Sequence, residues 1–233
     1  RNKLKEKCYI ATAKIERKLV SKYDGTIKYL FKLYDGEFIE SVVMKYKHGY
    51  TICISTQVGC KMNCQFCATG NSGFSRNLTA SEMLAQIQTA QIDNHIKISN
   101  VVLMGMGEPL DNYDNVIQFL KLVSSEDNLN IGMRHISLST CGIINKIYDL
   151  ANENLQLTLS VSLHAPNDSI RNTLMPINKN FNVDELLKAC KFYIIKTKRR
   201  ISFEYAMISD INDSDDCAIE LARKLSGMLC HVN

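Results

Sequence analysis

Cys60, Cys64 and Cys67 stand in a CxxxCxxC run that follows Gly59 and closes on Ala68, Thr69 and Gly70. Three thiolates at this spacing can bind three irons of a cubane and leave the fourth open, because soft sulfur ligands select iron–sulfur clusters or zinc. An open iron can hold a small molecule and pass it an electron. A fourth protein ligand would instead close the site into an electron carrier. Zinc is the competing reading, but a structural zinc needs four ligands. No Cys or His follows Cys67 within a dozen residues, and His48 and Cys53 upstream are poorly spaced. Phe66 and the small residues after Cys67 suit a tight loop around a cluster.

Other groups could serve such a site. In Met104-Gly105-Met106-Gly107-Glu108-Pro109 the glycines let backbone approach a ligand closely, and Glu108 offers a carboxylate for a charge-assisted bond. The motif alone is equally a strand-to-helix turn, with Pro109 at a position where helices tolerate proline. Ser139, Ser162 and His164 could fix ligand oxygens, although a lone His in a strand is commonly a satisfied structural residue. Arg171 and Lys179 read either as phosphate-facing or as solvated charges. Cys53, seven residues before Cys60, lies on the strand leading into the loop, and strand alternation points it at a different part of the mouth. Glu40 by pattern alone is surface charge on a hairpin. Cys8, Cys141, Cys190, Cys217 and Cys230 have no partner spacing and read as structural thiols.

The elements that must position these residues fall into two groups. Residues 26–34 and 38–44 read as strands joined by Asp35-Gly36, a short hairpin signal, after a similar turn at 22–25. Beyond residue 49, apolar strands at 51–57, 100–106, 135–140, 155–164 and 201–208 alternate with helices at 80–94, 112–124, 143–151, 183–196 and 214–227. Thr79 with Glu82, and Asn182 with Glu185, are N-cap signatures. The pattern is α/β, a parallel sheet closing wholly or partly into a barrel, with residues 231–233 opening a sixth strand. We expect an N-terminal β-hairpin extension over 1–48 and a core over 49–233. The cysteine loop, Glu108, Ser139 and His164 all fall at carboxyl ends of strands, where α/β barrels carry their chemistry.

A 233-residue chain with 45 % hydrophobic residues can bury a substantial core. It contains no apolar run of membrane-spanning length and no visible signal peptide, so a cytoplasmic protein with no membrane partner is expected. Nine cysteines without a signal peptide, three of them clustered, fit a reducing compartment. The net charge of +4 is uneven. Residues 1–50 carry 12 Lys and Arg against 6 Asp and Glu, leaving the remainder slightly acidic. A basic N-terminal segment fits a phosphate-facing surface, or simply a lysine-rich edge.

Taken in order, the run from Cys53 to Cys67, Met104 to Leu110, Leu138-Ser139-Thr140, Ser162 to Asp168, and Met175-Pro-Ile-Asn178 resemble the RlmN/Cfr family of radical S-adenosylmethionine (SAM) RNA methyltransferases. Val58, Pro109 and Ala165 favour its adenine carbon-2 branch over the carbon-8 branch. The resemblance runs along nearly the whole chain. It implies a radical SAM partial (β/α)6 barrel and a [4Fe–4S] cluster on Cys60, Cys64 and Cys67. It further implies SAM contacts at Gly107, Glu108, Ser139, Ser162, Leu163 and His164, with Glu108 on the amino group of the methionine end. Two SAM molecules would be used per turnover: one methylates a cysteine near the family's C-terminus, and the second yields the radical that activates that methyl group. Cys53 would then resolve the covalent RNA adduct, and Glu40 matches a proton acceptor. Substrates would be ribosomal and transfer RNA, the latter next to the anticodon, with a flavodoxin- or ferredoxin-type electron donor and a monomeric enzyme. The family also implies a chain cut at both ends, with residues 1–10 the tail of a helical domain and the methyl-carrying cysteine beyond residue 233. The 233 residues alone are therefore expected to be inactive. Carbon-8 methylation and a non-catalytic iron–sulfur RNA-binding module are the alternatives.

Overall fold

In the computed structural model, which describes residues 11–233, Lys14–Val20 (β1), Ile27–Lys32 (β2) and Phe38–Tyr46 (β3) pair antiparallel. Cys8 and the proposed helical tail over residues 1–10 lie outside the described residues. Alternation sets the faces of β2 and β3: Tyr29, Phe31, Ile39, Ser41 and Val43 are buried on one side, whereas Lys28, Lys32 and Phe38 are exposed on the other. Strands β2 and β3 are joined through residues 33–37, with Gly36 at a φ of 90° and Leu33 N–H donating to Glu37 O at 2.8 Å. The Asp35-Gly36 signal therefore marks a longer loop than a two-residue turn.

Gly49–Cys53 (β4) pairs antiparallel with β3 on one edge and parallel with a later strand on the other. Gln57–Gly59 (β5) and Phe74–Asn77 (β6) form a separate two-stranded sheet. Then come Ile98–Leu103 (β7), Ile136–Thr140 (β8), Thr158–Ser162 (β9), Ile201–Glu204 (β10) and Cys230–Val232 (β11). One nine-stranded sheet runs β1-β2-β3-β4-β7-β8-β9-β10-β11, and its last six strands are all parallel. This is the α/β partial (β/α)6 barrel expected from the sequence. The turn between β3 and β4 falls at the 48/49 boundary, yet the strands on both sides share a single sheet.

Six helices connect the strands among the described residues: Ala80–Asn94 (α1), Tyr113–Ser124 (α2), Ile144–Asn152 (α3), Asp168–Leu174 (α4), Val183–Thr197 (α5) and Asp215–Leu225 (α6). A full capping box of Thr79 and Glu82 starts α1, a motif worth about 1 kcal/mol, and Asn182 caps α5 through the Glu185 N–H. Val116, Ile117, Phe119, Leu120 and Val123 place the apolar stripe of α2 in the core. No helix among the described residues is long and apolar enough to cross a membrane.

Three expectations need correction. The strand read over 51–57 breaks after Cys53, because Ser55 N–H turns to the side chain of Gln86 on α1 (2.9 Å) before β5 begins. The strand read over 155–164 ends at Ser162, since His164 adopts a left-handed φ of 54° that no strand continues. Helix α4 has no counterpart in the sequence pattern. It is seven residues long and follows the Ser162–Asp168 motif directly.

Candidate active site

The thiol loop hangs from the β5–β6 hairpin. Gly59 has a φ of 76°, and a Cβ there would sit 1.9 Å from Gly73 O, so only glycine allows the strands to pinch and Cys60 N–H to bond Gly73 O at 2.8 Å. Cys60, Cys64 and Cys67 are partly buried, and all three line a cleft of about 270 Å³ at the carboxyl ends of β7, β8 and β9. Lys61 pins the loop by an ion pair to Asp111 (2.9 Å) while lying over the Phe74 ring. On the far side, Gln65 N–H donates to Leu174 O of α4 at 2.9 Å, and Cys64 packs against Cys141, Leu174 and Met175. Burial pushes the Cys64 thiol up to about 11, with Cys60, Cys67 and Glu108 adding to the effect, and burial likewise raises Cys60.

Gly107, Glu108, Ser139, Ser162 and His164 line the same cleft. Gly107, at a φ of 99°, lies where a Cβ would meet Gln57 at 2.5 Å, and this close approach lets Glu108 N–H donate to Gln57 Oε1 at 2.8 Å. Glu108 is buried, and both its oxygens already accept: Oε1 from Leu110 N–H at 3.0 Å and Oε2 from Cys141 N–H at 2.7 Å. Glu108 thus shapes the turn and also lines the cleft. Desolvation raises its carboxyl pKa while these amides hold it down. Leu163 is buried outside the cleft lining, with N–H given to Glu204 O and its carbonyl accepting from Arg171 Nε.

His164 sits at the end of β9 in its strained backbone conformation, held there by Glu204 O, which accepts from His164 N–H, and by Asn212 Nδ2, which donates to His164 O. Its Nδ1 accepts from Ala206 N–H at 2.9 Å, so in the neutral ring Nε2 carries the proton. The Phe66 ring stands roughly perpendicular to the imidazole, with the ring centroids 4.8 Å apart. Burial, then the Arg171 charge, lowers its pKa to about 4. An unfolded His protonates near 6.5, so the unfolded state binds the extra proton between the two values. Stability is therefore full above pH 6.5 and lost as pH falls toward 4. We expect the stability lost between pH 7 and 4.5 to be smaller by about 2 to 3 kcal/mol in His164→Asn, which tolerates the same backbone. Urea titrations at the two pH values test this; equal losses would contradict it.

Arg171 departs from both of its sequence readings. It faces neither phosphate nor solvent: it is fully buried on α4 and donates to Leu163 O, Asn178 Oδ1, Cys141 O and Ser162 O. Lys179 is exposed. Cys141 is buried as expected of a structural thiol, but it also lines the cleft.

Cys53 and Glu40 are outside the cleft lining. Cys53 ends β4 opposite Val42, so the two side chains share a face. Glu40 lies two residues before Val42 on β3, which keeps it on that face and moves it toward the barrel mouth, since β3 runs antiparallel to β4. The Cys53 thiol is pushed up to about 11 by burial, opposed by a bond from Met104 N–H, and Met104 itself lines the cleft. Glu40 pairs with Lys28 at 2.8 Å and its side chain is 45 % exposed.

The cleft suits an anionic iron–sulfur group. Three soft thiols open onto it, and metal binding deprotonates a thiol outright. The Arg171 cation, whose charge is felt at Cys64, makes no ion pair among the described residues. Also among the described residues, no three His, Cys, Asp or Glu side chains converge as one metal ion requires.

The family model described as Radical SAM superfamily matches residues 54–222. The probable dual-specificity RNA methyltransferase RlmN of Clostridium tetani is 58 % identical over 232 residues, covering 100 % of this chain and 66 % of its own. That of Clostridium novyi is 57 % identical, covering 100 % and 68 %. The chain belongs to the RlmN family of the radical SAM superfamily. It spans about two thirds of the length of these RlmN relatives. A crystal structure of a radical SAM methyltransferase from Sphaerobacter thermophilus superposes with a TM-score of 0.93 at 43 % identity, covering 100 % of this chain and 69 % of that one. The superfamily match spans the three thiols, Glu108 and His164, while Glu40 and Cys53 precede it. Membership of the radical SAM superfamily implies a [4Fe–4S] cluster and SAM.

Proposed function

We propose that this chain is the core of an RNA methyltransferase that places a methyl group on carbon 2 of adenine in ribosomal RNA and in transfer RNA next to the anticodon. The observation that carries the reading is the meeting of three thiols, Glu108 and His164 in one cleft at the carboxyl ends of parallel strands. When bound, the cluster and SAM would supply one-electron reduction and hydrogen-atom abstraction, chemistry that side chains lack.

Cys60, Cys64 and Cys67 would hold three irons. Glu108 would take the ammonium of the methionine end on the lone pairs its two amide bonds leave free, in a site too buried for water to compete. His164 would donate from Nε2, and the hydroxyls of Ser139 and Ser162 would fix further ligand oxygens, with Gly107 admitting the ligand closely and Leu163 packing behind. Cys53, with Glu40 as its proton acceptor, would resolve the RNA adduct. Lys14, Arg17, Lys22, Lys32, Lys45 and Lys47 make no ion pair among the described residues, which supports RNA backbone as the partner of the N-terminal strands. The reading carries with it two SAM molecules per turnover, a flavodoxin- or ferredoxin-type reductant and a cytoplasmic monomer.

Locating the methyl group by mass spectrometry on adenosine from RNA treated with the reconstituted full-length protein tests the proposal. Carbon 2 is expected. Carbon 8 would overturn the branch assignment, and SAM cleavage absent from a cluster-loaded protein would overturn the enzyme itself. Glu108→Gln keeps the shape and removes the charge, so SAM affinity should fall by about 1.5–3 kcal/mol in calorimetry. Equal affinities would reduce Glu108 to a turn-forming residue.

A further inference from the structure

We propose that Arg171 is a positioning residue of this site: one buried guanidinium fixes the floor of the cleft and supplies the positive charge behind the three thiols. The inference rests on the radical SAM reading above and deepens it.

The bonds of Arg171 join the parts that must act together. Nη2 donates to Cys141 O at 2.7 Å and Ser162 O at 3.0 Å, Nε to Leu163 O at 3.1 Å, and Nη1 to Asn178 Oδ1 at 2.9 Å. Cys141 in turn donates its N–H to Glu108, and Ser162 and Leu163 lead directly into His164. One turn along α4, Leu174 O holds the thiol loop through Gln65, and the Leu174 and Met175 side chains pack on Cys64. A single fork therefore links the ends of β8 and β9 to the helix on which the thiol loop rests. Asn178 is prepared for it, since its Nδ2 donates to both Asp168 and Asn172 at 2.9 Å.

Four hydrogen bonds satisfy the geometry of the guanidinium but none of them goes to a carboxylate; Asp168, on the same helix, opposes the charge only from beyond Asn178, and a buried charge without a direct counter-charge is unfavourable. The acceptors are three carbonyls and an amide, all neutral. A neutral side chain could brace the same strands without that cost. The charge is accounted for if an anionic group occupies the cleft, and a thiolate-ligated cluster is such a group.

Reconstituted full-length protein provides the test, read by the midpoint potential of the cluster and by SAM affinity. Arg171→Met removes both the fork and the charge. It should shift the midpoint to more negative values and weaken SAM binding at least about tenfold. Arg171→Lys keeps a cation without the planar fork. Its potential should stay near the wild-type value while SAM binding remains weakened. Asn178→Ala, which leaves the charge and three carbonyl bonds, should leave the potential unchanged and weaken SAM binding less. Wild-type potential and affinity in Arg171→Met would overturn the inference. If that variant does not fold, unchanged SAM affinity in both Arg171→Lys and Asn178→Ala would do so. Wild-type protein that takes up no iron would instead overturn the radical SAM reading, and this inference with it.

Discussion

Replacing Cys64 with alanine in the full-length protein should abolish iron uptake and every activity that depends on it. Anaerobic reconstitution of the wild type is expected to give about four irons per chain with the broad visible absorption of thiolate-ligated clusters. In Cys64→Ala both should fall to near background, because two thiolates leave a cubane open at two corners, and SAM cleavage should vanish with them. The fold should survive: Cys64 is only partly buried and touches the small apolar cluster of Cys141, Leu174 and Met175, away from the main core. Circular dichroism separates loss of the cluster from loss of the fold. An unchanged cluster in this variant, or a folded wild type that takes zinc and refuses iron, would sink the assignment.

Cys53→Ala should halt the reaction one step later, with RNA covalently attached to the protein. If Cys53 resolves the adduct, adduct formation survives its removal and release does not. A protein–RNA species resistant to denaturant should accumulate while multiple turnover drops by at least about a hundredfold, the lower end of what general acid–base groups contribute. A thiol held near 11 is neutral at physiological pH and needs a base. Glu40 is available on the same face, and its exposed pairing with Lys28 is worth no more than about 1 kcal/mol, so it yields readily. Glu40→Gln should therefore slow release without blocking attachment. Free methylated RNA from Cys53→Ala at the wild-type rate would remove Cys53 from the mechanism.

Most of the barrel was legible because each parallel strand is an apolar run and each long helix carries a stripe or a cap. The start of α1 at Ala80 follows from the residue types of Thr79 and Glu82 alone. What escaped the sequence was what pattern does not encode. Helix α4 is too short for its periodicity to register, and its first turn follows a motif already read for its chemistry. Arg171 shows the same limit from the other side. Arginine in a polar stretch is normally solvated, and only its bonds to three carbonyls at the ends of β8 and β9 reveal a buried role. The break after Cys53 is hidden in the apolar run over 51–57 because it depends on Gln86, a residue 31 positions from Ser55. Glu108 was legible in kind, as a carboxylate at a strand end, but its bond to Cys141 is a tertiary fact.

The bond from Gln65 N–H to Leu174 O joins the thiol loop to α4 at a residue that is otherwise exposed. That amide is consequently a reporter. Its hydrogen–deuterium exchange measures how often the loop lifts away from the helix, independently of colour, iron content or turnover. Slow exchange in metal-free protein would mean that the cradle is built before iron arrives, so assembly would be limited by delivery. Fast exchange that slows on reconstitution would mean that iron itself seats the loop, and the order of maturation would be reversed.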